Sequence, residues 1–210
     1  KLLQAASGNA GGDNLYVEDV FATHLYDGDS SNPITINNGI DFAGEGGLFW
    51  NRERNTGYTG SVLLDTERGT LQTLATDQTS GNVSISSNKN VTYNNNGITI
   101  QAASSTATGV LNFSNNSLCS WSFRKAEKFF DVVTWTGNST AGRTIAHNLG
   151  SVPGMIIIKC TSTARSWVTY HTSLGATKYL TLNSANASAT TSVTFNNTEP
   201  TDSVFSVGTA

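Results

Sequence analysis

Two stretches, SVLLDTERGTLQTLAT at residues 61–76 and WVTYHTSLGATKYLTL at residues 167–182, decide how this chain folds. Laid over one another, residue 61 on residue 167, they pair Val62 with Val168, Gly69 with Gly175 and Leu74 with Leu180. Each holds a short β-branched or apolar run on either side of a glycine, the pattern of two strands joined by a turn. The matches continue on both sides. TINNGIDFAGEGGLFWNR from Thr35 parallels TIAHNLGSVPGMIIIK from Thr144 with a two-residue gap, VTYNNN from Val91 parallels VTFNNT from Val193, and GITI parallels VFSV. Ordered matches at nearly one offset are the signature of a tandem duplication.

The composition agrees with strands. Charged residues make up 13% of the 210 residues, about half the share usual for a soluble domain. Asn, Thr, Ser and Gly crowd every region, whereas the long-chain residues that build surface helices are scarce. The expected class is therefore all-β, with tandem antiparallel β-sandwich-like repeats preceded by one short N-terminal amphipathic helix. The expected organisation is a tail, helix and linker over residues 1–34, a first repeat over 35–143 and a second over 144–210. In the first repeat GITIQ leads into closing strands, but VFSVGTA in the second reaches Ala210 without them. The closing strand is therefore expected after Ala210, and a sheet lacking it exposes an unpaired edge.

The helix is placed on DNLYVEDVFATHLYDGD, residues 13–29, with Asp13 or Asn14 as cap, Glu18 and Asp19 near its positive end and Gly28 as its stop. Val17, Val20, Phe21, His24 and Leu25 fall on one helical face. Val17, Val20, Phe21 and Leu25 are the candidate docking or oligomer contact, the alternative being that this face packs on its own sheet. Residues 1–13 read as a tail without order of its own. CSWSFRK, residues 119–125, alternates Cys119, Trp121 and Phe123 with Ser120, Ser122 and Arg124, which predicts a strand with its serines on a wet face.

Chemistry is sparse. Net charge is −3, and the 12 Lys and Arg are scattered, so no footprint for nucleic acid exists. No apolar run is long enough to span a membrane. The two cysteines, Cys119 and Cys160, lie far apart in sequence and form no zinc motif; they read as reduced, small apolar residues, with one bridge as the alternative. DGDSSN from Asp27 lacks the glycine and terminal glutamate of a calcium loop and reads as a linker between helix and strand. His171 with Ser173 and Asp202 has no nucleophile elbow around it. Asp41, Glu45, Asp65 and Glu67 read as turn and strand-end residues rather than glycosidase carboxylates.

His147 sits in HNLGSVPGMIIIK, and its counterpart in the first repeat is Asn37 or Asn38, so the stretch reads as architecture. In it Pro153 and a positive-φ Gly154 are expected to form a tight turn feeding a strand buried on both faces. Trp50, Tyr58, Trp135 and Trp167 are the candidates for stacking on sugar rings, with core packing as the alternative. No catalytic residue, cofactor or metal site is assigned.

LYVEDVFATHLYDG, LLDTERG, WSFRKAEKFFDVVTWTGNSTAGRTIAHNLGSVPGMIIIK and HTSLGATKYLTLN resemble a repeated domain of virion proteins of marine bacteriophages, notably those infecting cyanobacteria. That resemblance implies a non-catalytic virion structural protein, a tail fibre or appendage mediating attachment to the host. A capsid decoration protein is one alternative, and a carbohydrate-binding module or polysaccharide depolymerase is another. The implied partners are other virion proteins, the chain itself as a homotrimer, and a host surface glycan or protein, with no nucleic acid and no membrane insertion.

Overall fold

A computed structural model describes residues 15–55, 61–84, 91–101 and 111–209. Among them the fold is all-β: one helical turn, α1 (Val17–Val20), and fifteen strands in antiparallel sheets. No helix among the described residues is long and apolar enough to cross a membrane. The first eleven strands are β1 (Phe21–Asp27), β2 (Ile34–Asn37), β3 (Gly47–Glu53), β4 (Ser61–Asp65), β5 (Gln72–Ala75), β6 (Val83–Ser84), β7 (Val91–Asn94), β8 (Gly97–Ile100), β9 (Ser117–Arg124), β10 (Arg143–Ala146) and β11 (Met155–Ile158). Then follow β12 (Val168–His171), β13 (Lys178–Thr181), β14 (Ala189–Thr190) and β15 (Val204–Val207).

The pairing repeats with the sequence. β4 and β5 pair Val62 with Ala75 and Leu63 with Leu74; β12 and β13 pair Val168 with Thr181 and Thr169 with Leu180, each position 106 residues on. The pairs β3·β4 and β11·β12, β5·β6 and β13·β14, and β2·β8 and β10·β15 also correspond, at offsets of 106 to 109 residues. Even the turns match: Thr66 donates its N–H to the Gly47 carbonyl at 3.0 Å, and Thr172 donates to the Gly154 carbonyl at 2.9 Å. Gly69 and Gly175 both hold positive φ, 82° and 73°, a conformation a Cβ disfavours, which is why the glycine survives in both turns.

In the first repeat a six-stranded sheet, β1-β9-β3-β4-β5-β6, faces a three-stranded one, β2-β8-β7. Phe49, Val62 and Leu64 from the larger sheet meet Ile36, Val91, Ile98 and Ile100 from the smaller in one buried core. In the second repeat the sheets are β11-β12-β13-β14 and β10-β15, with a core of Tyr170, Ala176 and Phe195. The two repeats meet where Leu63 and Leu74 enclose Trp167, flanked by Leu48 and Ile157. Alternation along β3 and β11 sends Phe49 and Ile156 to their own cores, and Leu48 and Ile157 to the shared one.

Four expectations need correction. First, the helix over residues 13–29 is a single turn. The chain becomes extended at Phe21 (φ −141°, ψ 130°), and Phe21 to Asp27 pair residue for residue with Phe123 to Ser117. Residues four apart share a face in a strand as well as in a helix, so Phe21 and Leu25 fitted both periods, and the available partner strand decided. The Asp13 or Asn14 cap and the 1–13 tail lie outside the described residues. Asp19 caps the turn instead, accepting the Tyr16 N–H at 2.8 Å. Second, DGDSSN therefore joins strand to strand, with Asp29 accepting the N–H of Ser31. Third, the serine face of β9 is the dry one. Ser120 and Ser122 are fully buried, because Asn38 Nδ2 donates to Ser122 Oγ at 2.8 Å and Ser120 Oγ donates to the His24 carbonyl at 3.5 Å. Fourth, the positive φ near the Pro153 turn belongs to Gly150, at 59°, and not to Gly154. The run beyond that turn is half-buried, and Met155 is exposed.

Candidate functional site

The predicted docking residues do not form one face. Val20 is buried, Val17 is half-buried on α1, and Phe21 and Leu25 point outward from β1, an edge strand. Phe21 packs on Phe123 with ring centroids 5.0 Å apart, which leaves Leu25 as the exposed apolar side chain of the four.

His147, His171, Asp41 and Asp65 hold turns, while His24 lies in β1 beside Tyr26. His147 Nδ1 accepts the Leu149 N–H at 3.3 Å, while Asn38 Oδ1 accepts the Ile40 N–H at 3.2 Å at the matching place in the first repeat. Both residues also donate their own N–H across the small sheet, His147 to the Ser203 carbonyl and Asn38 to that of Asn96. An imidazole therefore does the turn work of an asparagine. His171 Nδ1 accepts the backbone N–H of Ser173, which turns the ring toward its own chain. Asp41 accepts the Gly44 N–H, Asp65 pairs with Arg68 at 2.6 Å, and Glu67 pairs with Lys125. Among the described residues no group of three or more His, Cys, Asp or Glu gathers where it could hold a metal ion. Cys119 and Cys160 are both free; hydroxyls of Thr163 and Ser162 hold the Cys160 thiol down at about 7.

Two concave surfaces lie between the repeats. The shallower, about 620 Å³, has Trp50 and Trp121 edge to face as its floor, with ring centroids 6.1 Å apart. The indole of Trp50 is fixed by its N–H bond to Ser61 Oγ at 2.8 Å. Arg52 and Asp77 of the first repeat and Asn183 of the second stand around the aromatic pair. Of the other predicted sugar-stacking residues, Trp167 is buried, with Nε1 donating to the carbonyls of Ala75 and Gln78. Trp135 packs against Phe205, and Tyr58 lies outside the described residues. Trp121 was not among the candidates. Its partnership with Trp50 is set by the register of β3 against β9, which no local pattern reveals.

The deeper surface is a groove of about 860 Å³ lined by Val132 to Trp135, by Met155 to Ile158 and, from the first repeat, by Leu48, Leu63 and Leu74. Sequence reasoning missed it, although a signal exists. FATHLYDGDSSNPITI from Phe21 lies over FDVVTWTGNSTAGRTI from Phe130, matching Phe21 with Phe130, Gly28 with Gly137, Ser30 with Ser139 and Thr35 with Thr144. The similarity between repeats thus begins upstream of Thr35, and residues 130–136 are the counterpart of β1.

No curated protein and no solved structure matches the chain. A family model does, over residues 17–210, which takes in α1 and both repeats. The chain belongs to the family described as a domain of unknown function, DUF7483.

Proposed function

We propose that this chain is a non-catalytic structural module of a phage virion, an appendage or tail-fibre segment that contacts the host surface through the cleft between its repeats. The sequence resemblance supports the virion assignment. The Trp50–Trp121 cleft carries the contact. Two half-buried indoles held at a fixed angle, ringed by a guanidinium, a carboxylate and an amide, present the apolar face and hydrogen-bonding groups that a pyranose ring uses. The low-charge surface and the hydrogen-bonded seam between repeats suit an extended rod that works by contact, with symmetric self-association as a trimer in the assembled fibre.

Glycan-array binding of the purified chain, followed by calorimetry on any hit, tests the contact. The expected result is saturable binding to a host-surface glycan, weakened at least tenfold by Trp121→Ala. Binding that Trp121→Ala leaves unchanged would move the contact elsewhere, and cleavage of the glycan would make the chain a depolymerase. Cryo-electron microscopy of the particle tests the position: density on an appendage supports the proposal, and density on the capsid shell favours a decoration protein.

A further inference from the structure

In the first repeat β9 lies between β1 and β3, with Phe123 opposite both Phe21 and Leu48. In the second repeat the counterparts of those flanking strands are residues 130–136 and β11. Among the described residues β11 pairs on one edge alone, with β12, and Val132 to Trp135 belong to no sheet. Both segments line the groove. It therefore occupies the place that β9 fills in the first repeat.

Three further features of the second repeat point to the same unfilled place. A Cβ on Gly47 would lie 2.1 Å from the Phe123 carbonyl oxygen, so β9 requires a glycine there; its counterpart Gly154 has nothing within 4 Å among the described residues. A Cβ on Gly28 would lie 1.9 Å from the Phe113 carbonyl oxygen, and its counterpart Gly137 again has nothing within 4 Å. Neither Gly137 nor Gly154 has positive φ, so the backbone conformation seen here does not call for glycine at either place. The third feature is a polar atom. Asn38 Nδ2 donates to Ser122 Oγ of β9, whereas Nε2 of its counterpart His147, 8% exposed and lining the groove, is buried without a partner among the described residues. Since Nδ1 accepts the Leu149 N–H, Nε2 is the ring nitrogen left to donate, as Asn38 Nδ2 donates to Ser122 in the first repeat.

We propose that the groove is an acceptor for an added β-strand patterned on Leu111–Arg124, brought by polypeptide outside the described residues and inserted antiparallel to β11. The incoming segment carries small hydroxylated side chains on the face toward His147 and aromatic ones on the face toward the first repeat, as Ser120 and Ser122 alternate with Trp121 and Phe123 in β9. Main-chain hydrogen bonds to β11 supply affinity, and the two unobstructed glycines admit its backbone. A second copy's own β9 is not the donor, because it is paired along both edges with β1 and β3.

The probe is a labelled synthetic peptide, NFSNNSLSSWSFR, which is Asn112–Arg124 with Cys119→Ser. Binding to the 210-residue chain is followed by fluorescence anisotropy, and the site is mapped by amide hydrogen exchange. The expected result is saturable binding, with slowed exchange at residues 132–135 and 155–158 and no binding of a scrambled peptide. Gly154→Val, which has open space around it, keeps the fold and its circular dichroism, and weakens the peptide at least tenfold. His147→Ala weakens it severalfold. The proposal is overturned by no saturable binding at 100-fold molar excess, by protection confined to other strands, or by equal binding to a folded Gly154→Val chain. Concentration-dependent self-association that protects the same amides without peptide would overturn it in favour of a second copy.

Discussion

Replacing Trp167 with alanine should uncouple the two repeats. The side chain is 3% exposed, is enclosed by Leu63 and Leu74, and donates Nε1 to the Ala75 and Gln78 carbonyls at 3.0 and 3.1 Å. A tryptophan buries about 150–250 Å². At about 25 cal/mol per Å² that is roughly 4–6 kcal/mol before relaxation. Core truncations of this size cost about 3–5 kcal/mol in practice, because the walls close part of the cavity. The expected loss for Trp167→Ala is therefore about 3–5 kcal/mol, and Trp167→Phe, which keeps most of the area and loses the donor, should cost about 1–2 kcal/mol. Urea denaturation followed by far-UV circular dichroism reads both variants. Because the residue sits between units, the loss should fall on the second repeat, splitting the transition so that the repeats unfold in turn. A loss below about 1 kcal/mol, or one unshifted transition, would show that the repeats are not held by this contact.

Burial raises the Tyr26 and Tyr93 hydroxyls above the usual tyrosine range, and burial with the Glu199 hydrogen bond raises that of Tyr170 to about 12. A folded-state pKa above the unfolded value means that the native chain holds the proton longer, so stability is complete below about pH 10 and falls as pH climbs toward 12. Absorbance at 295 nm should show three of the six tyrosines ionising only as the chain unfolds; six ionising together near pH 10 with the fold intact would contradict the burial. Iodoacetamide should label Cys160 in the native chain with a rate midpoint near pH 7, and Thr163→Val should move that midpoint up, since the Thr163 hydroxyl is the main stabiliser of the thiolate. An unchanged midpoint would remove that hydroxyl from the account.

How much of this was legible beforehand follows from which interactions are local. The turn glycines Gly69 and Gly175 and the apolar runs around them carry the duplication on their face, because a positive-φ turn and a buried strand each impose a residue type at a fixed position. The interior of β9 was not legible. Its serines are buried because their partners come from elsewhere in the fold, Asn38 Nδ2 donating to Ser122 Oγ and the His24 carbonyl of β1 accepting from Ser120 Oγ, a pairing invisible in CSWSFRK itself. β1 carries a helical pattern as well as a strand pattern, because Phe21 and Leu25 satisfy both periods. The Trp50–Trp121 floor and the groove both arise from strand register, one from a pair made and the other from a pair left open.

The most direct test of the central claim, that among the described residues the place of β9 stands open in the second repeat, is a matched pair of substitutions. Gly47→Val drives a side chain into the Phe123 carbonyl, where Gly154→Val meets open space. The account predicts that Gly47→Val costs more than about 3 kcal/mol, at the severe end of overpacking, and that Gly154→Val stays within about 0.5 kcal/mol of the parent in urea denaturation. Equal losses at the two glycines would contradict it.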